Sequence, residues 1–247
     1  MSRDRRVQMP GMAEQPAFAP GSMPREYAKR MGWNLAPCNL MVEGTTDERY
    51  CKLASRLHEA ETGLKLIGDD FHVFAAGRGG DGGTDKIKEE LRTFKSILQS
   101  EPDPFVFKVA CLFDCDQAGK KAFSEMRKKF RPWGELFLLQ RIMPRTTRDP
   151  GQYEKSWNKQ NAKWLKLDCE IEDLLDCELL EYFLFDSPSA LRRKQEAEGK
   201  HHFDLDGQSK GQLARFFESH SALEQVGEIV ELLKVFRWLL KLDPEGV

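Results

Sequence analysis

The sequence lacks any run of about 18 apolar residues, the length needed to span a bilayer as a helix. Its longest apolar stretch, residues 105–113, is of strand length and is interrupted by Lys108. This excludes a membrane span, and no apolar segment follows Arg3, Arg5 and Arg6 to make a secretory signal. None of the six cysteines stands in a Cys-x-x-Cys pair, so zinc-ribbon and thioredoxin-type chemistry lack their spacing. No Walker lysine followed by Ser or Thr closes a glycine-rich loop, so there is no nucleotide-binding P-loop. Histidine is scarce: the chain has five, and the adjacent His201 and His202 have no partners at metal-binding spacing. Both are therefore expected on the surface. Neither sign of charge dominates, since 38 Lys and Arg face 40 Asp and Glu, so any surface for a polyanion must be local. What remains is a reduced, cytoplasmic globular protein.

Residues 1–36 are rich in Pro, Gly and Met without sustained apolar period and read as a flexible leader, with one short helix near 25–31. From Cys38 the texture changes. Asn39-Leu-Met-Val42 is a short buried-type strand that stops at Glu43-Gly44. Thr45 or Thr46 can cap a helix carrying Tyr50, Leu53, Ala54 and Leu57 at helical spacing. A second strand at 71–75 leads through the loop 77–83, five of whose seven residues are glycine, into a helix with Ile87, Leu91, Phe94 and Leu98 on one face. A third strand at 105–113 ends at Asp114, followed by a helix over 117–130 and a fourth strand at 135–140. Repeated strand–loop–helix units predict an α/β fold: a parallel sheet of about four strands flanked by helices. Residues 141–166 show little periodicity, and three further helices, at 174–185, 211–217 and 222–240, predict a mainly helical C-terminal lobe. The expected division is a leader over 1–36, a catalytic domain over 37–180 and a helical lobe over 181–247.

Chemistry in a parallel α/β sheet collects at the carboxyl ends of the strands. Glu43, Asp114 and Asp116 fall there, and Asp47 lies one helical turn beyond Glu43. Carboxylates so placed suit one or two Mg²⁺ or Mn²⁺ ions, because hard cations prefer oxygen ligands. Asp114 and Asp116, two apart on extended backbone, would face the same side, with Cys115 turned to the core. The alternative is that the aspartates are only helix caps and Glu43 only a turn residue.

Val42-Glu-Gly-Thr-Thr-Asp-Glu48 and Leu112-Phe-Asp-Cys-Asp-Gln-Ala-Gly119 resemble the two signatures of the Toprim domain. That domain is shared by topoisomerases, DnaG-type primases and OLD-family nucleases. The resemblance implies a Rossmann-like Toprim fold, Glu43 as the acid/base group, and Asp114 and Asp116 as metal ligands. Topoisomerases carry a third aspartate where this chain has Ala118, and primases add a zinc module absent here, so the pattern stands nearest the nucleases. Between Asp168 and Asp186 there are eight carboxylates and no Lys or Arg. The start of this run resembles a Glu-Ile-Glu-Asp-Leu stretch of OLD-type nucleases, which implies that Glu172 or Asp173 completes a two-metal site. Lys210 resembles a lysine of the same enzymes that neutralises charge on the phosphate. The resemblance further implies cleavage of DNA or RNA, a separate ATPase subunit as partner, and a role in phage defence. A homodimer is left open.

Three features bear on substrate binding. Arg78 and the glycines around it could meet a phosphate, and Asp81 could add a ligand. Residues 120–166 hold thirteen Lys and Arg against four Asp and Glu. Within them Lys120, Lys155, Lys159 and Lys163 are candidate phosphate contacts, with Tyr153, Trp157 and Trp164 as stacking platforms or as core residues. The alternatives carried forward are a primase- or topoisomerase-like enzyme and a non-catalytic nucleic-acid or protein-binding module.

Overall fold

The computed structural model describes residues 22–78, 82–100, 107–131, 134–144 and 149–242. In chain order the first half reads α1 (Met23–Met31), β1 (Cys38–Val42), α2 (Thr45–Thr62), β2 (Phe71–Ala75), α3 (Thr84–Ser100), β3 (Lys108–Phe113), α4 (Gln117–Met126) and β4 (Leu136–Leu138). The four strands form one all-parallel sheet in the order β2-β1-β3-β4. This is the Rossmann-like α/β arrangement that the strand–helix alternation predicts.

The chain winds outward from β1 to β2, then returns across β1 to β3 and continues to β4. With crossovers of one hand, such a reversal puts the helices before and after it on opposite faces. The apolar contacts agree. Leu40, Val42, Val73, Ala110 and Leu112 point to a face covered by Tyr50, Leu53 and Ala54 of α2. Met41, Phe74, Cys111 and Phe113 point to the other, covered by Ile87, Leu91 and Phe94 of α3 and by Ala122 and Met126 of α4. Successive strand residues alternate between the two cores, and β1 is buried along its whole length, as a central parallel strand must be.

Residues 22–36 are not part of a loose leader. Trp33 stacks on Phe74 with ring centroids 4.5 Å apart, and Ala28 and Ala36 are buried. The helix expected near 25–31 is α1; residues 1–21 lie outside the described residues.

The second half contains α5 (Pro150–Asn161), α6 (Cys177–Asp186), β5 (Leu191–Ala197), β6 (Lys200–Leu205), α7 (Gly207–His220) and α8 (Gly227–Leu239). Most of it is helical, as expected, and α8 lays its apolar face on the α2 side of the sheet, with Phe236 edge-on to Phe137 at 4.9 Å. Two elements depart from the sequence reading. The antiparallel hairpin β5–β6 was not expected, because only scattered positions of its highly charged strands are buried. Its two-residue turn sets Glu198 and Gly199 at φ 49° and 71°, the positive values that match strand twist in tight hairpins. Helix α5 was missed because its buried stripe is one residue wide, Tyr153, Trp157 and Asn161 at four-residue spacing. The signal was in the cap: Asp149 accepts from the Gly151 amide, and Pro150 follows at the first helical position.

Candidate active site

Strands β1 and β3 are neighbours whose following helices, α2 and α4, lie on opposite faces, so a crevice opens between their carboxyl ends. Glu43 leaves β1 and Asp114 leaves β3 at that crevice. The Glu43 Oε1 accepts the Asp114 amide at 3.0 Å, which ties the two strand ends together. Asp47 turns back from the first turn of α2, is buried, and accepts the Gly44 amide at 2.8 Å. Asp116 caps α4 and accepts the Gly119 amide at 2.6 Å. It is thus both a cap and a member of the cluster, since its charge acts on Glu43.

Glycine is required where the backbones meet. A Cβ on Gly119 would stand 1.9 Å from the Asp114 carbonyl oxygen, and one on Gly82 would stand 2.2 Å from that of Glu43. The Gly83 amide donates to the same Glu43 carbonyl at 2.9 Å. The end of the glycine-rich loop is therefore clamped onto the residue that carries the first carboxylate. Asp81 lies outside the described residues.

A third segment completes the crevice. Cys115 and Cys169 exchange backbone hydrogen bonds of 2.8 and 3.3 Å, which fastens residues 168–170 alongside 114–116. The short 3-10 turn Ile171–Leu174 follows. Glu170 and Glu172 both reach Lys210 Nζ, at 2.9 and 3.4 Å, from the first turns of α7. Asp206 caps that helix through the amides of Gln208 and Ser209. The Glu172 side chain is 1% exposed, and its Oε1 has no hydrogen-bond partner.

The electrostatics follow from this crowding. Burial pushes Glu43 up to about 8, and the charges of Asp47, Asp116 and Glu170 add to it against the Asp114 amide. Burial raises Asp47 to about 6 and Glu172 to about 7, in both cases with Lys210 pulling the other way. Burial, reinforced by Asp47, Glu43, Glu170 and Glu172, holds Asp114 well above the carboxylate range. For Lys210, burial alone would lower the pKa, but Glu172, Glu170 and Asp114 outweigh it and hold the ammonium charged.

The fold thus brings together Glu43, Asp47, Asp114, Asp116, Glu172 and Lys210. Glu170 belongs with them and was overlooked; its two-residue spacing from Glu172 in the acidic run was the available signal. Asp173, the alternative to Glu172, turns away. Its carboxylate is 1% exposed and accepts from the Glu170 amide, His202 Nδ1, Arg141 Nη2 and the Phe203 amide. His202 is consequently buried on β6 and not at the surface, because Asp173 draws it inward. Burial by itself lowers the His202 pKa, and the Asp173 bond and charge more than reverse that.

The expected substrate contacts are dispersed. Tyr153, Trp157 and Trp164 are buried, Trp157 and Tyr153 edge-on to each other within the core, so none offers a ring for base stacking. Lys155, Lys159 and Lys163 remain exposed on or just beyond α5, with Lys163 lying over Trp164. Lys120 is paired with Asp168 at 3.1 Å, and Arg78 is exposed beside the crevice.

Comparison with protein-family models, with curated proteins and with solved structures returned no match. Among the described residues, no three His, Cys, Asp or Glu are grouped so as to hold an ion as they stand. Main-chain amides hold Glu43, Asp47 and Asp116, and Lys210 holds Glu170 and Glu172. The donor chemistry nevertheless fits a hard divalent cation. All six acidic groups offer oxygen, the buried Glu172 Oε1 has no partner, and among the described residues Lys210 is the ammonium paired to them.

Proposed function

We propose that this chain is a Mg²⁺- or Mn²⁺-dependent nuclease that hydrolyses nucleic-acid phosphodiesters at a Toprim-like site. The observation that carries this reading is the set of six carboxylates around the β1–β3 crevice, with Lys210 as the ammonium paired to them among the described residues. Like charges crowded into a partly buried crevice call for cations. Asp114, Asp116, Asp47 and Glu172 would hold one or two ions. When bound, these would supply charge neutralisation at the phosphoryl oxygens of an in-line displacement.

The chain's own groups divide the remaining work. Glu43 is pushed to about 8, so near neutral pH it can both hold and release a proton. Its Oε1 is engaged by the Asp114 amide, which leaves Oε2 as the atom that carries the proton. Lys210, kept charged by Glu170 and Glu172, is placed to offset charge that builds on the phosphate. Control by a separate ATPase subunit, as in the phage-defence effectors that the motifs resemble, is the regulatory arrangement we infer.

The test is incubation of the purified protein with Mg²⁺ or Mn²⁺ and plasmid, single-stranded DNA or tRNA, alone and with any ATPase encoded beside it. Metal-dependent cleavage is expected, lost in Glu43→Ala and in Asp114→Ala. Absence of cleavage in every combination sinks the reading and leaves a non-catalytic binding module. Cleavage that survives both substitutions sinks the site.

A further inference from the structure

Without metal, a carboxylate cluster repels a phosphodiester, so affinity of the metal-free protein for a strand must come from cations outside the cluster. The basic stretch at 120–166 is weaker than its composition suggests, since Lys120 is neutralised by Asp168 and the aromatic rings are buried. A different group of cations stands beside the crevice. A cleft of about 360 Å³ opens between the C-terminal end of α1, the start of α2 and the loop after β2. Lys29, Arg30 and Arg78 line it, with Thr45 and Gly77. All three basic residues are exposed, and among the described residues none has a carboxylate partner. Glu48 also lines the cleft, but it is bound to Lys52 and accepts the Ala75 amide at 3.1 Å.

The position matters as much as the charge. Thr45 is the first residue of an 18-residue helix whose N-terminal amides and dipole favour an anion. It is two residues from Glu43, so cleft and carboxylates are separated by at most about 7 Å of chain. Gly77, at φ 77°, turns the chain after β2 into the conformation from which Arg78 borders the cleft. Three cations without a carboxylate partner among the described residues, from two separate segments, thus converge one step from the carboxylate crevice.

We propose that this cleft holds a backbone phosphate of the strand being cut, adjacent to the scissile one, with Lys29, Arg30 and Arg78 as its contacts. This assignment rests on the nuclease reading above. It gives α1, which precedes the first motif, a role in substrate binding.

Binding can be read without turnover. A short fluorescent oligonucleotide, made as DNA and as RNA of the same sequence, is titrated in EDTA by anisotropy over a range of salt. Losing the one phosphate held there lowers the slope of log K against log salt by about 0.7 on a single strand, so Lys29→Ala/Arg30→Ala/Arg78→Ala should lose about 0.7 along with affinity. Arg78→Ala alone should weaken binding in the same direction and by less than the triple variant. Circular dichroism should be unchanged, because all three residues are exposed. If affinity and slope stay at the wild-type values while the wild type cleaves and Glu43→Ala does not, the cleft assignment is wrong and the nuclease reading stands. If the wild type neither binds nor cleaves either strand, both fall together.

Discussion

Glu172 and Asp173 are neighbours in one 3-10 turn, both side chains 1% exposed, yet they belong to opposite kinds of electrostatic environment. Asp173 faces inward to Arg141, His202 and two main-chain amides, so its charge is met on every side. Arg141 in turn donates to the carbonyls of His201 and Asp168, which joins the hairpin to the acidic segment. Glu172 faces the crevice with one oxygen toward Lys210 at 3.4 Å and the other unpartnered. A buried charge with all its partners supplied from within is architecture. A buried charge among like charges is destabilising by itself and makes sense at a binding site.

The largest expected effect breaks the crevice side. Asp114→Asn should cut metal-dependent cleavage at least as far as loss of a positioned acid or base, about 10²–10⁴-fold. The same change should raise the thermal midpoint of the metal-free protein, because it removes a desolvated carboxylate from among like charges. A lower midpoint would mean that Asp114 is structural. On the other side, Asp173→Asn strips Arg141 of its carboxylate, and breaking so buried a pair costs about 3–5 kcal/mol. Urea unfolding measures this, and a cost below 1 kcal/mol would place Asp173 among ordinary surface pairs.

Smaller effects sharpen the contrast. Gly119→Ala forces a Cβ toward the Asp114 carbonyl and should cost about 1–3 kcal/mol, as overpacking does, with cleavage reduced alongside. Calorimetric stability equal to wild type would show that α4 yields freely. The pH dependence of the metal-free protein has a definite sign. Glu43, Asp47 and Glu172 have folded pKa values of about 8, 6 and 7, all above their unfolded values. The native state therefore binds more protons between about pH 4 and 8, and metal-free stability falls as pH rises through that window. Mg²⁺ competes with those protons, so its stabilisation should grow with pH. A thermal midpoint that rises from pH 5 to 8 without metal would contradict the crowding.

Much of this was legible in the chain. Strands ending at Glu43 and Asp114 were readable because a central parallel strand is apolar throughout and stops abruptly at its polar terminus. Helix α8 was readable from its broad apolar face. The hairpin and α5 were not, since a charged strand pair and a one-residue stripe leave almost no periodic signal. His202 was misplaced because nothing local marks a histidine that a distant aspartate will bury. The tryptophans were ambiguous for the same reason: a lysine-rich neighbourhood accommodates a stacking ring and a core ring equally well.

The sequence by itself determined the parallel α/β class, the order of its motifs and the carboxylates at the ends of β1 and β3, because strand and turn signals are written in neighbouring residues. Only the tertiary structure decided which members of the acidic run face the crevice. The main chains at Cys115 and Cys169, 54 positions apart, pair, and on that frame Glu170 and Glu172 meet Lys210 while Asp173 meets Arg141. Adjacent side chains in one tight turn point in different directions, and which direction is buried against which partner is set by contacts that no local pattern encodes.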